Sequence, residues 1–421
     1  MKRNYFLLAL TLISTASFAQ KVLLVNGGQF GNSQENANLV IYDTQSQNYS
    51  VVDTIHSQSA QDLLVDTVNA VAYVAAQDSM VSYDLSTEQR IAANSFQGIS
   101  TKTLSLHASG LLVGNWYGQT SNNLYLYNSN TLALIDSFPN VSKGVSSILV
   151  HRDDAYVVQN NQTASFTDTL GYVLKIDLIS RTIVDTIVPS GYTEDMGQLL
   201  KKSDNSGFYV LNSGSNTISS YDFSSQSITN TAIALDFSVG STSNFDFDQD
   251  TLFVRTGNGI GSINLNSLSV IDSVIVDTVV TAFTYDRLNK EFYITQTDFF
   301  SYRKGGIYNR QGAKVDTFMV GYSPEVIQTY YNTTVGLSEV LPQKFNVNLY
   351  PNPAKEFINL SWEESEKVVD LEIYNQLGAL VYTKQNHNLL EKVSLSNVAK
   401  GVYFVRIRAG EKNATQKLIL E

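Results

Sequence analysis

An all-β chain, a seven-bladed β-propeller followed by a small Ig-like β-sandwich, is predicted by three observations. First, an alternating apolar strand closed by an aromatic-acid pair, Asn38-Leu39-Val40-Ile41-Tyr42-Asp43, returns as Met80-Val81-Ser82-Tyr83-Asp84, Leu124-Tyr125-Leu126-Tyr127-Asn128, Val173-Leu174-Lys175-Ile176-Asp177 and Ile218-Ser219-Ser220-Tyr221-Asp222. Weaker copies end at Asn264 and Asn309. Seven copies at a period of roughly 40 to 50 residues are the signature of four short strands per propeller blade. Second, only 16% of the residues are charged and only 6 are Pro, with Ser, Thr, Asn and Tyr abundant. That composition suits short strands joined by polar turns and disfavours long amphipathic helices. Third, the register changes after Tyr331, where a polar linker leads to Tyr350-Pro351-Asn352-Pro353 and a new set of strands.

In chain order, Lys2 and Arg3 precede an apolar run over residues 5–13, and Ser17-Phe18-Ala19 places small residues ahead of Gln20. This predicts a signal peptide over 1–19. The run is too short for a membrane anchor, which needs roughly 20 apolar residues. The propeller is assigned to 20–331, the linker to 332–344 and the final domain to 345–421. Labelling strands a to d from the axis outward, the Tyr-Asp strand is c and the following Asp-Thr or Asp-Ser strand is d, as at Asp53-Thr54 and Asp185-Thr186. Strands b precede c at 71–75, 111–114, 155–158, 207–211, 251–254 and 291–294, and strands a precede b at 62–66, 102–107 and 145–151. The first repeat opens directly on a b strand at 22–25. A spare a strand at 323–330 has nothing behind it. The spare strand is expected to close the first blade and leave no open sheet edge.

Net charge and cysteine usage exclude whole classes of function. A formal net charge of −11 argues against nucleic acid, whose phosphates require a basic face. With no cysteine, an exported chain has to be stabilised by its core, and repeats that bury one another can do this.

The tail strands are expected at 357–362, 368–374, 379–384, 392–395, 401–408 and 415–420, punctuated by Gly378, Gly401 and Gly410. Tyr350-Pro351-Asn352-Pro353, Leu371-Glu372-Ile373-Tyr374 with Gly378, Val393-Ser394-Leu395, Gly401-Val402-Tyr403-Phe404-Val405-Arg406-Ile407 and Lys417-Leu418-Ile419-Leu420 together resemble a type A C-terminal sorting domain of the type IX secretion system of Bacteroidota. Only the final Glu421, where such tails often end in a basic residue, departs from the pattern. The resemblance implies export across the outer membrane, with the secretion machinery and a surface sortase-like protease as partners. The cargo would then be tethered or released. The opening, Val25-Asn26-Gly27-Gly28-Gln29-Phe30-Gly31 and the strand after it, is similar to surface propellers of the YVTN-repeat type in the same bacteria. One branch of that group captures cobalamin, so the resemblance implies cobalamin capture as an alternative.

Propeller ligands usually sit where the b–c and d–a loops surround the channel mouth. The candidate ligand-binding residues are therefore Asn26, Phe30, Asn115, Trp116, Tyr117, Asn212, Arg255, Asp298 and Phe299, with Gln77, Asp78, Gln159, Asn160 and Asn258 in the same loops. Amides and flat rings on a concave face suit a polar or ring-bearing ligand, although Asn and Gln also fold such turns back on their own backbone. Trp116 has two readings, a ligand platform or a plug between blades. Asp246, Asp248 and Asp250 alternate like calcium ligands, but a strand does not wrap around an ion, so a hairpin with solvated acids is expected. His107 and His151 lie one repeat apart, and two His without a third ligand make a weak metal site.

There is no recognisable nucleophile elbow, phosphate loop or Cys nucleophile. The sequence therefore favours a monomeric binding module, without cofactor or catalytic activity, for a small molecule, glycan or surface protein. A cation-dependent hydrolase or lyase of the lactonase kind is an alternative, but Asp62, Glu325 and Lys102 make a thin cluster for it. A purely adhesive component is the third reading. Protein recovered from the native cell surface should give an intact mass that begins at Gln20 and ends in or near the linker ahead of Phe345; a retained leader would contradict the first assignment and a retained tail the second.

Overall fold

The structure, a computed structural model, describes residues 20–95, 101–116, 122–162, 168–189, 196–237, 245–331, 347–362, 368–375, 380–388, 392–396, 398–409 and 412–421. The expected signal peptide and linker lie outside the described residues. Two compact units divide at Val335 and Gly336.

Among the described residues, the first unit forms seven four-stranded antiparallel sheets. Blade 1 runs Pro324–Tyr331, Gln20–Asn26, Ala37–Asp43, Tyr49–Ile55, so the closing strand arrives from the far end of the chain. Leu23 is flanked by Gln328 on one side and Ile41 on the other. Alternation along the closing strand gives it two apolar faces. Val326 and Tyr330 join the core shared with blade 2, beside Leu63, Ala72 and Tyr83, while Ile327 joins the core shared with blade 7, beside Tyr293 and Phe318. Each buried side chain of this size contributes about 1.5–3 kcal/mol.

The recurring Tyr-Asp pair now has a physical explanation. In every blade the terminal Asp or Asn of strand c accepts backbone N–H groups of the following turn: Asp43 from Ser46, Asp84 from Thr87, Asn128 from Thr131, Asp177 from Ser180, Asp222 from Ser225, Asn264 from Ser267 and Asn309 from Gln311. This is an Asx turn, for which Asp and Asn are the suitable side chains. The residue before it points the other way, and Tyr42, Tyr83, Tyr127 and Tyr221 are buried between blades.

Neighbouring blades are also tied at the axis. Asp62 Oδ2 accepts from Leu104 N at 2.7 Å, Ser147 Oγ from Leu199 N at 3.0 Å, Asp246 Oδ2 from Tyr285 N at 2.8 Å, and Thr284 Oγ1 from Thr329 N at 3.0 Å. The last of these bonds holds the closing strand to blade 7. The expected hairpin is present and Asp250 is exposed on it, but these contacts correct the expectation of solvated acids for Asp246 and Asp248. Asp246 is a tie between blades, and buried Asp248 pairs with Lys290 at 2.9 Å and Arg310 at 2.6 Å. The two histidines have separate partners: His107 Nε2 lies 3.4 Å from Asp153, whereas the His151 ring stacks on Phe223 with centroids 4.0 Å apart.

The second unit has a three-stranded sheet of Val347–Tyr350, Phe357–Trp362 and Val393–Ser394. Its partner sheet is ordered Leu380–Asn388, Val368–Asn375, Gly401–Ala409, Lys412–Leu420. Ile358, Leu360, Leu371, Ile373, Val405 and Leu418 form the core of this unit.

Closure by the C-terminal strand predicts an asymmetry between truncations. A chain ending at Gly321 should lose cooperative unfolding or melt far below one ending at Asn332, because an inner strand and two interblade faces go with the missing segment. Equal melting curves would show that the ring does not depend on this strand.

Candidate functional site

At the end of the propeller bearing the b–c loops, a cavity of about 570 Å³ opens over blades 7, 1, 2 and 3. Its floor is built by irregular register. The pairing of strand a with strand b skips Glu325 in blade 1, Gln61 in blade 2 and Lys102 in blade 3. A bulge of this kind adds one unpaired residue and re-aims its side chain. All three side chains line the cavity.

Glu325 lies where backbone approaches closely. Its carboxylate accepts from Ser323 Oγ and, at 3.4 Å, from Ser59 Oγ. A Cβ at Gly27 would meet that carboxylate, so a larger residue in the first b–c loop would have to displace it. The loop is anchored on both sides, with Gly27 N donating to Ser323 O at 2.7 Å and Ser59 N to Gly27 O at 2.9 Å. Burial pushes the Glu325 carboxyl up to about 7 and that of nearby Asp62 up to about 6. Burial also lowers the Lys102 ammonium, against the attraction of Asp62 and Glu325.

The rim is aromatic. Phe30 is 69% exposed, Phe299 49% and Phe300 56%, and Phe30 meets Phe300 edge-on at 6.1 Å. Phe30 N donates to Phe299 O at 2.9 Å, which joins the b–c loops of blades 1 and 7. Phe299 adopts φ of 67°, a region unfavourable to a bulky residue. Trp116 closes the opposite side, with Lys102 Nζ over its ring at 5.7 Å from the centroid.

Of the sequence candidates, the structure therefore brings Phe30, Trp116 and Phe299 together on one cavity, with Gln77 from the b–c loop of blade 2. Tyr117 lies outside the described residues. Five others are placed elsewhere. Asn26, Asn115 and Asn212 end their b strands fully buried. Asn26 Nδ2 donates to Asn38 Oδ1 and Val320 O, and Asn212 Nδ2 to Thr217 and Ser219. Arg255 reaches sideways to Thr281 O at 3.0 Å. Asp298 folds its own loop, accepting from Phe300 N and Ser301 N and pairing with Arg303. Position in a loop or at a strand end does not say which way a side chain points. Gln58 and Gln61 also line the cavity and carry no signal in the sequence, because their inward aim depends on a bulge and a d–a loop.

In the tail, Asn352 shows what the Tyr-Pro-Asn-Pro motif does. Its side chain accepts from Ile419 N at 2.9 Å and donates to Lys417 O at 2.6 Å, which fixes the final strand. The cis peptides before Pro351 and Pro353 shape this segment. Tyr403 OH donates to Ala399 O at 2.5 Å, just ahead of Gly401, whose φ is 157°. Gly378 lies outside the described residues.

The buried carboxyl gives a pH prediction. Glu325 ordinarily titrates near 4.5 and here near 7, so the unfolded chain releases a proton that the folded chain keeps. The Glu325 contribution to stability should therefore be fully present below about 4.5, fall as pH rises through about 7 and level off above, by roughly 3 kcal/mol, beside a separate fall from Asp62 that is complete above about 6. Glu325→Gln should flatten the first of these falls in a urea-melt series across pH, and an unchanged slope would show that Glu325 is not buried as described.

Residues 348–421 match the family described as "Secretion system C-terminal sorting domain". No curated protein matches the chain. Among solved structures, a Bacteroides uniformis protein provisionally assigned as a 6-phosphogluconolactonase aligns with TM-score 0.54 at 10% identity, covering 75% of this chain and 100% of its own. The extracellular domain of a provisionally assigned one-component system from B. thetaiotaomicron aligns with TM-score 0.50 at 13% identity, covering 97% of this chain and 58% of its own. At these identities the likeness shows the fold alone, a β-propeller with a further β domain. Residues 348–421 belong to the sorting-domain family of the type IX secretion system, and the protein that carries them is exported to the cell surface or secreted.

Proposed function

We propose that the exported propeller is a binding module and that its ligand seats in the 570 Å³ cavity over blades 7, 1, 2 and 3. The observation that carries this reading is convergence. Rings from three separate loops and three bulge-directed polar side chains meet on one concavity of ligand size. Exposed phenyl rings contribute nothing to turn chemistry and are unfavourable in water unless something covers them. The amides of Gln61 and Gln77 can hydrogen-bond a polar group while the rings cover a flat one. Export puts this surface in contact with compounds outside the cell.

The placement of Trp116 favours the platform over the interblade plug. Full-length protein incubated with spent growth medium should retain a compound that native mass spectrometry can detect. Trp116→Ala should weaken its retention by about 1–3 kcal/mol with the melting temperature nearly unchanged. A loss of about 3–5 kcal/mol in stability with retention intact would instead mark Trp116 as a packing residue. Turnover of the retained compound would point to catalysis.

A further inference from the structure

One charged group on the cavity floor lacks a counter-ion in direct contact. The Lys102 ammonium makes no hydrogen bond or ion pair with the described residues; its nearest special contact is the Trp116 ring. Asp62 and Glu325 act on it only at longer range, and both are engaged elsewhere. Asp62 accepts from Leu63 N and Leu104 N, and Glu325 from Ser323 and Ser59. A half-buried ammonium facing an enclosed space is favourable there only if an anion or ordered water meets it. Around it the walls are aromatic, with Trp116 alongside and Phe30 and Phe299 above.

We propose that the cavity binds an aromatic carboxylate, its ring held among Trp116, Phe30 and Phe299 and its carboxylate on Lys102 Nζ. This assignment rests on the cavity being the binding site and adds the chemistry of the ligand. A carboxylate on Lys102 also enters the field of Glu325. The two anions repel, so an occupied site favours protonated Glu325. With the Glu325 carboxyl pushed up to about 7, affinity for a carboxylate falls as pH rises through neutrality. Affinity for a neutral analogue stays level.

The test titrates naphthoate, naphthamide and naphthylmethylamine separately into the full-length protein by calorimetry. Naphthoate should bind about tenfold more tightly than the amide, and the amine most weakly. Lys102→Gln should bring naphthoate and naphthamide to similar affinity, while Lys102→Arg keeps the preference and controls for misfolding. Glu325→Gln should reduce the pH dependence of naphthoate binding near neutrality and leave the part due to Asp62, whose carboxyl is pushed up to about 6 and acts on the same ammonium. Equal or tighter binding of the amide or amine overturns the carboxylate assignment and leaves the cavity standing as a site. Binding by none of the three overturns it as well; retention of a compound from growth medium then decides the broader reading separately.

Discussion

The pairing of Pro324–Tyr331 with Gln20–Asn26 is the interaction on which the rest of the first unit depends. Six of the blades are continuous in sequence, but the ring exists only when the two ends of the propeller meet in one sheet. The closing strand buries Val326 and Tyr330 against blade 2 and Ile327 against blade 7, so it completes two interblade cores at once. The same strand carries Glu325 into the cavity. Closure and the candidate site are therefore one event, because the floor of the cavity is incomplete until the last strand docks. Without cysteine, the chain has no cross-link to hold the ring, and hydrogen bonds and buried side chains do it instead.

A second constraint comes from the inner strands. Each must satisfy its own sheet, pack against two neighbours and still leave the axis open. The bulges at Glu325, Gln61 and Lys102 allow this by releasing one residue from the ladder while the strand beyond it stays in register. Deeper along the axis, Asp62, Ser147, Asp246 and Thr284 turn their side chains to the backbone of the next blade. Polar side chains near the mouth thus line the cavity, whereas those below tie the ring together. Lys102 and Asp62 lie at this boundary, which is why burial shifts both of their titrations.

The tail uses a different economy of contacts. A single side chain, Asn352, holds the final strand by both its acceptor and its donor, and a compact core of Leu and Val side chains does the rest. The Asn of the Tyr-Pro-Asn-Pro motif thus has a structural role, tying the start of the domain to the backbone of its final strand.

The sequence by itself determined the architecture, because its signals are local and periodic. Asp43, Asp84, Asn128 and their counterparts each fold a turn two or three residues away, and the preceding tyrosines fill the gap between blades. Such chemistry repeats with the blade and can be read without knowing the fold. Closure was legible as well, since a missing first strand and a spare last one admit one arrangement. The lining of the candidate cavity was only partly legible. Phe30, Trp116 and Phe299 stand out because rings in loops have no turn-forming role. Asn26, Asn115 and Asn212 look equivalent in sequence to a ligand set, yet the last residue of a b strand faces inward and is buried. Tertiary structure alone decided that Glu325 reaches Gly27 and Ser59, that Lys102 sits over Trp116, and that bulges aim three blades' side chains at one point. These are contacts between residues tens to hundreds of positions apart, and no local pattern encodes their direction.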